Sequence, residues 1–193
     1  MTTQILSKKI KVDEFTSTLG TIVALGCITM LFVTFFVSYS ILRIQFGMWS
    51  RPGTGLIPIT IAIGNTIVLL ASSYTYHKSA IYSKTHIDLA KKWLGVTLGL
   101  GIVFLLAQLI LWDVLVNAGF TPKSNIIGSV FYLLTGMHGL HIVAGVGALA
   151  LVYLKLNKSY SDGERSNLFK QVGMLWHFLD VLWVCLFVAI FII

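Results

Sequence analysis

Charge is what this sequence has least of. Asp, Glu, Lys and Arg make up only 11% of its 193 residues, less than half the share in an ordinary soluble domain. From Ile126 to Tyr153 there is none at all. Cysteine is nearly absent too. Cys27 and Cys185 form no Cys-x-x-Cys pair, which argues against a disulfide framework or a cysteine metal site, and each reads as a small apolar residue in a packed interior. There is no Gly-rich phosphate loop, no internal repeat and no low-complexity tract, so nucleotide binding of the common kinds and solenoid folds drop out.

What fills the sequence instead is apolar surface. At 56% hydrophobic residues, a chain of this size cannot hide its apolar side chains in a water-soluble core, so lipid is the solvent. Five runs can each supply the roughly 20 helical residues that cross a hydrocarbon layer of about 30 Å. They are Leu19–Leu42, Leu56–Tyr76, Trp93–Val116, Ile126–Leu154 and Met174–Ile193. Backbone groups in lipid must be paired within the protein, which leaves helices or a closed barrel, and runs without two-residue alternation are helices. The expected fold is all-α, one bundle over residues 1–193. The first run is too long for a signal-peptide core and lacks an Ala-x-Ala exit, so it reads as a retained anchor.

The net charge of +7 sits in short loops between these runs, which points to membrane topology rather than nucleic acid. Lys8, Lys9 and Lys11, the loop with Lys78, Lys84, Lys91 and Lys92, and the loop with Lys155, Lys158, Arg165 and Lys170 share one side; Arg43, Arg51 and Lys123 share the other. The positive-inside rule places the N-terminus in the cytoplasm and the C-terminus outside. Turn chemistry joins the spans at Arg51-Pro52-Gly53-Thr54-Gly55 and Gly119-Phe120-Thr121-Pro122. Trp49, Trp93, Trp112 and Trp176 lie near the ends of runs, where interfacial aromatic belts form.

Polar residues within the runs should face the bundle interior and find partners. His138 and His141 are three apart, hence on one helix face and about 4.5 Å apart along its axis. His177 and Asp180 repeat that spacing one span later. A buried cluster of His138, His141, His177 and Asp180, with Thr135 as a nearby hydroxyl, is the expected arrangement. Three readings of it stand side by side: a hydrogen-bonded cluster that fixes helix register, a lipid-headgroup or proton-linked role, and a haem or metal site. Against the last, two histidines three apart cannot be opposite axial ligands of one iron, and a His-x-x-His without a carboxylate between lacks the base of a zinc hydrolase. Gln108 and Asn65 read as interhelical hydrogen-bonders, and Asp113 as a carboxylate reaching outer water.

FYLLTGMHGLHIVAG, residues Phe131 to Gly145, resembles the Phe-Tyr-x-x-Thr-Gly-x-His-Gly-x-His-x-x-x-Gly signature of subunit III of haem-copper respiratory oxidases. LWHFLDVLWVCLF, Leu175 to Phe187, resembles the Trp-His-Phe-Val-Asp-x-Val-Trp motif of that family's last helix. The resemblance implies the short five-helix bacterial form, a multi-pass protein of the bacterial inner (plasma) membrane. It implies an accessory subunit of a proton-pumping terminal oxidase with no catalytic, cofactor or metal residue of its own. Haem and copper would then lie in partner subunits I and II, with a small subunit IV as a further partner. It also implies phospholipid bound near His141 and Lys155, with Trp176 as a third headgroup candidate, and support of proton uptake and turnover stability. Two positions depart from the family pattern: Ile28 stands where many members carry an intramembrane glutamate, and Leu111 where many carry a carboxylate. The alternatives are a nitric-oxide-reductase-associated member of the family and an unrelated small transporter or haem carrier, although a transporter should show broken helices or repeats.

Overall fold

A computed structural model describes residues 2–45, 56–83, 85–123, 126–156 and 162–192. They form helices α1 (Thr2–Gln45), α2 (Leu56–Tyr82), α3 (Ile87–Asn117), α4 (Ile126–Lys155) and α5 (Asp162–Phe187), the last running into a π-helical turn at Val188–Ile192. No strand occurs among the described residues. Each of the five contains a stretch long and apolar enough to cross a membrane. The chain is an all-α protein with five membrane-spanning helices.

The helices overrun the apolar runs that mark them. α2 continues to Tyr82 rather than Tyr76, α3 begins at Ile87 rather than Trp93, and α5 begins at Asp162, well before Met174. Hydropathy marks only the part of a helix inside hydrocarbon; the backbone ladder continues into the headgroup layer as long as nothing breaks it. The Arg51-Pro52-Gly53-Thr54-Gly55 turn, Trp49, Lys84 and Lys158 lie outside the described residues.

Packing follows one stripe per helix. On α3 the buried residues are Ala90, Leu94, Thr97, Gly101, Phe104, Gln108, Leu111 and Leu115, in alternating steps of four and three. The opposite face is not polar: Ile102, Val103, Leu106, Leu109 and Ile110 are exposed. In lipid both faces are apolar, and the inward one is told apart by its small and hydrogen-bonding residues.

Helices α2, α3, α4 and α5 form a ring of neighbours, with α2 and α3 the most extensive pair. α1 lies outside the ring against α4 and α5 and does not pack to a comparable extent on α2 or α3. It is fastened to α5 near both ends. Ser17 accepts hydrogen bonds from Asn167 and Gln171, and Arg43 Nη1 donates to the Ala189 carbonyl at 3.4 Å in the π-helical turn. These pairs make α1 and α5 parallel, as the first and fifth of alternating spans must be.

The α3–α4 corner is set by a helix stop of defined geometry. Gly119, at φ +84°, donates to Val116 O and Phe120 N to Leu115 O, both at 2.9 Å. This is the Schellman pattern, whose left-handed residue is usually glycine. Tyr132 Oη then donates to Phe120 O at 2.7 Å and ties α4 to the same corner.

Candidate functional site

His138 of α4 stands among side chains of α1, α3 and α5. It is 1% exposed and lies flat on Trp183 of α5, centroids 5.3 Å apart and rings 28° from parallel. Phe104 of α3 meets it edge-on at 6.1 Å, and Phe32 of α1 at 6.4 Å. Trp183 Nε1 in turn donates to Thr66 Oγ1 of α2 at 3.1 Å. Neither ring nitrogen of His138 has a hydrogen-bond partner in the protein. Its surroundings are an aromatic sleeve, not a polar network.

His141, one turn on, is half-buried and turns toward α1. Its Nδ1 is bonded to the Met137 carbonyl of its own helix at 2.7 Å, and Phe32 meets its ring edge-on at 5.6 Å. Thr135 donates to Phe131 O and accepts from Trp112 Nε1 of α3 at 3.3 Å. Thr135 therefore joins α4 to α3 and does not satisfy either histidine.

The second polar pair faces a different helix. His177 Nδ1 is bonded to Ser73 Oγ of α2 at 2.6 Å, with Tyr76 edge-on to the ring at 5.7 Å. Asp180 is 4% exposed, and its Oδ2 lies 3.9 Å from His177 Nδ1. Neither carboxylate oxygen of Asp180 is bonded to His138 or His141. The four residues expected in one cluster thus divide in two, α4 histidines among aromatic rings and the α5 pair against α2. Tyr76 explains part of the division: its hydroxyl donates to Phe169 O at 2.6 Å and its ring packs on Gly173, which brings α2 close to that face of α5.

Trp176 corrects an expectation. It is not at an interface but fully buried, 0% exposed, in a slot between α3 and α4. A Cβ added at Gly101 would stand 3.0 Å from its Cη2, and one at Gly145 would stand 3.1 Å from its Cε3 and Cζ3. The two glycines make the room that the indole fills, so Trp176 cannot meet a headgroup. Nor can His141 and Lys155 serve one headgroup. They sit fourteen residues apart on the unbroken helix α4, which separates them by roughly 21 Å.

Lysines do line two grooves at the ends of helices. One, of about 520 Å³, is lined by Asp88, Lys91, Lys92, Gly95 and Tyr153, with Lys91 Nζ 5.2 Å from the centre of the Tyr153 ring. The other, of about 440 Å³, lies between α2 and α5 and includes His77, Ser83, Ser166 and Lys170.

A polar ladder between α2 and α3 was legible only in part. Asn65 Nδ2 donates to Gln108 Oε1 at 3.2 Å, the pairing type expected for both. Sequence reasoning missed the rest: Thr75 with Thr97 at 2.9 Å, Ser72 to Thr97 O at 3.4 Å and Ser79 to Ala90 O at 2.8 Å. Their spacing of three and four along α2 was the available signal. Asp113 is exposed and holds Asn117 of its own helix. Ile28 packs half-buried on the core and Leu111 is fully buried, so both departures from the family pattern place apolar groups in apolar surroundings.

Ser73, His177 and Asp180 are the residue types of a hydrolytic triad, but hydroxyl and carboxylate approach the same nitrogen, Nδ1. A triad needs them on opposite nitrogens. Rings close on His138 from α1, α3 and α5. Among the described residues no three His, Cys, Asp or Glu side chains are grouped to hold a metal ion.

Comparison with known proteins converges on one family. Residues 14–193 match the family model described as cytochrome c oxidase subunit III. A protein named cytochrome c oxidase subunit 3 from Corynebacterium diphtheriae is 34% identical over 179 residues, covering 90% of this chain and 86% of that one. Its namesake in Synechocystis is 32% identical over 180 residues, 90% of this chain and 74% of the relative. That of Thermostichus vulcanus is 28% identical over 177 residues, 91% and 86%. With a match that runs from the start of the first span to the last residue, over a five-helix bundle that carries both histidine motifs, the chain belongs to the cytochrome c oxidase subunit III family.

Proposed function

We propose that this chain is the non-catalytic third subunit of a proton-pumping haem-copper terminal oxidase in a bacterial inner membrane. It packs beside the catalytic subunit, which holds the haem and copper, and sustains proton uptake and stability during turnover. Subunit II and a small subunit IV complete the assembly. The N-terminus faces the cytoplasm, because eleven of the fourteen basic residues fall on that side of the five spans. The names of the relatives favour cytochrome c over quinol as donor, and an oxidase over the nitric-oxide-reductase-associated branch.

The observation that carries this reading is the family match over residues 14–193. The centre of the bundle is filled by Trp176, Trp183 and Phe104, all fully buried. Phospholipid belongs at the lysine end, where Lys91, Lys92 and Tyr153 line the groove and Lys155 closes α4. The test is to strip this chain from the purified oxidase. The remaining complex should keep its haem spectrum and initial oxygen-reduction rate but lose activity within fewer turnovers, and adding the chain back should restore the lifetime. A stripped complex with altered haem bands, or with an unchanged lifetime, would contradict the assignment.

A further inference from the structure

Charge is nearly absent from the spans, and the exception meets no cation. The stretches from Phe15 to Leu42, Leu56 to Tyr76, Trp93 to Trp112 and Ile126 to Tyr153 hold no Lys, Arg, Asp or Glu. From Gln171 to Ile193 there is one such residue, Asp180. It is 4% exposed, and both its carboxyl oxygens are buried without a hydrogen bond in the protein. An ionised carboxylate enclosed in this way is among the costliest groups a bundle in lipid can hold. The spans packed on α5 bring no lysine or arginine to its depth, so its charge is cancelled by a proton.

The neighbours of Asp180 can carry that proton. His177 Nδ1 lies 3.9 Å from Asp180 Oδ2, and Ser73 Oγ of α2 is bonded to the same nitrogen at 2.6 Å. The Ser73 hydroxyl also stands beside the carboxyl. Acid, hydroxyl and imidazole thus meet across the α2–α5 contact, with Tyr76 edge-on to the ring. The His177 side chain is 42% exposed and lies near the start of the apolar run Met174–Ile193, where water reaches its outer edge. His77, one turn beyond Ser73 on α2, and Lys170, two turns before His177 on α5, line the groove at the same end. On α4, His138 lies against Trp183 and His141 is bonded to its own helix.

We propose that Asp180, Ser73 and His177 form an intramembrane proton-binding site, in which Asp180 is held as the neutral acid and exchanges its proton with water through Ser73 and His177. Loading starts from the carboxylate and the imidazole protonated on Nδ1. A proton from water adds to Nε2. Nδ1 gives its proton to Ser73 Oγ as the Ser73 hydroxyl proton passes to an Asp180 oxygen. The imidazole ends neutral with its proton on Nε2, the hydroxyl is restored, and the carboxylate has become the acid. Release runs the same steps backwards. Imidazole suits the task because one ring nitrogen can take a proton while the other gives one. The site is made of this chain's own residues and is independent of the oxidase assignment.

Infrared spectroscopy of the purified protein, with whatever subunits accompany it, reads the carboxyl directly. The difference between the parent and Asp180→Asn at neutral pH should contain the C=O band of a protonated carboxyl, and that band should move to lower frequency in D2O. Ser73→Ala and His177→Phe should keep the band, which shows the surroundings of Asp180 intact. They should slow its shift in D2O on the order of a hundred-fold, the lower end for loss of a positioned proton carrier. His141→Phe, at another half-buried histidine, should leave the rate unchanged. A difference spectrum with a carboxylate band alone would show Asp180 ionised and overturn the proposal. Exchange as fast in Ser73→Ala and His177→Phe as in the parent would overturn it equally.

Discussion

An imidazole packed among an indole and two phenyl rings serves its neighbours as an aromatic plate. His138 is that plate, and its two buried nitrogens lower stability rather than raise it, since an unpaired buried polar group costs about 1–3 kcal/mol. His138→Phe should therefore leave the melting temperature of the purified complex unchanged or raise it, and should not disturb the haem spectrum. His138→Ala should cost about 3 kcal/mol through the cavity it leaves. A His138→Phe variant as damaged as His138→Ala would mean that the nitrogens matter. Gly145 offers the matching steric test. Gly145→Val forces methyl groups into Trp176, already 3.1 Å from the position of a Cβ, while Gly147 has nothing within 4 Å. The first should destabilise by about 1–3 kcal/mol and Gly147→Ala should be silent, both read as thermal shifts. These residues also show where the sequence could be read. The burial of His138, Asp180 and Thr135 follows from the cost of polar groups in lipid. Their partners did not follow, because a three-residue spacing gives a face but not the helix opposite. Trp176 was misplaced for a related reason: hydropathy cannot separate an inward indole from an interfacial one when both neighbours and solvent are apolar. The informative residues were Gly101 and Gly145, whose missing side chains mark the slot.

Helix number and order were plain from five charge-poor runs, since nothing else can be done with such runs in lipid. Helix ends were not, because the ladder continues beyond the hydrocarbon. Which helices touch was also hidden. Position in the chain suggests α1 beside α2, yet α1 packs on α4 and α5, drawn there by Phe32, Tyr39 and Arg43 on one face. Arg43 reaches a carbonyl of the π-helical turn, so Arg43→Ala should loosen the α1 terminus. A crosslink between cysteines placed at Leu42 and Ala189 should then form less completely than in the parent, and an unchanged yield would remove Arg43 from that role. Between α2 and α3 the Asn65–Gln108 bond should be worth about 0.6 kcal/mol in a double-mutant cycle to alanine, the usual size of interhelical bonds in membrane proteins. A coupling near zero would leave the ladder as a consequence of close packing rather than a cause of it.

Taken together the five helices make a bundle whose interior is filled by large side chains such as Trp176, Trp183 and Phe104. Its basic side should face the cytoplasm, so a reporter such as alkaline phosphatase should be active when fused after Ile193 and inactive when fused after Lys155. The reverse pattern would overturn the orientation. The role itself stands or falls on company. A mild-detergent preparation through an affinity tag on this chain should yield a particle in which mass spectrometry finds one copy of it with a haem-copper catalytic subunit and subunit II. The haem absorbance of that preparation should follow the catalytic subunit and vanish from the chain once it is released. An isolated chain that retains a Soret band, or a preparation in which no haem-copper subunit accompanies it, would contradict the assignment.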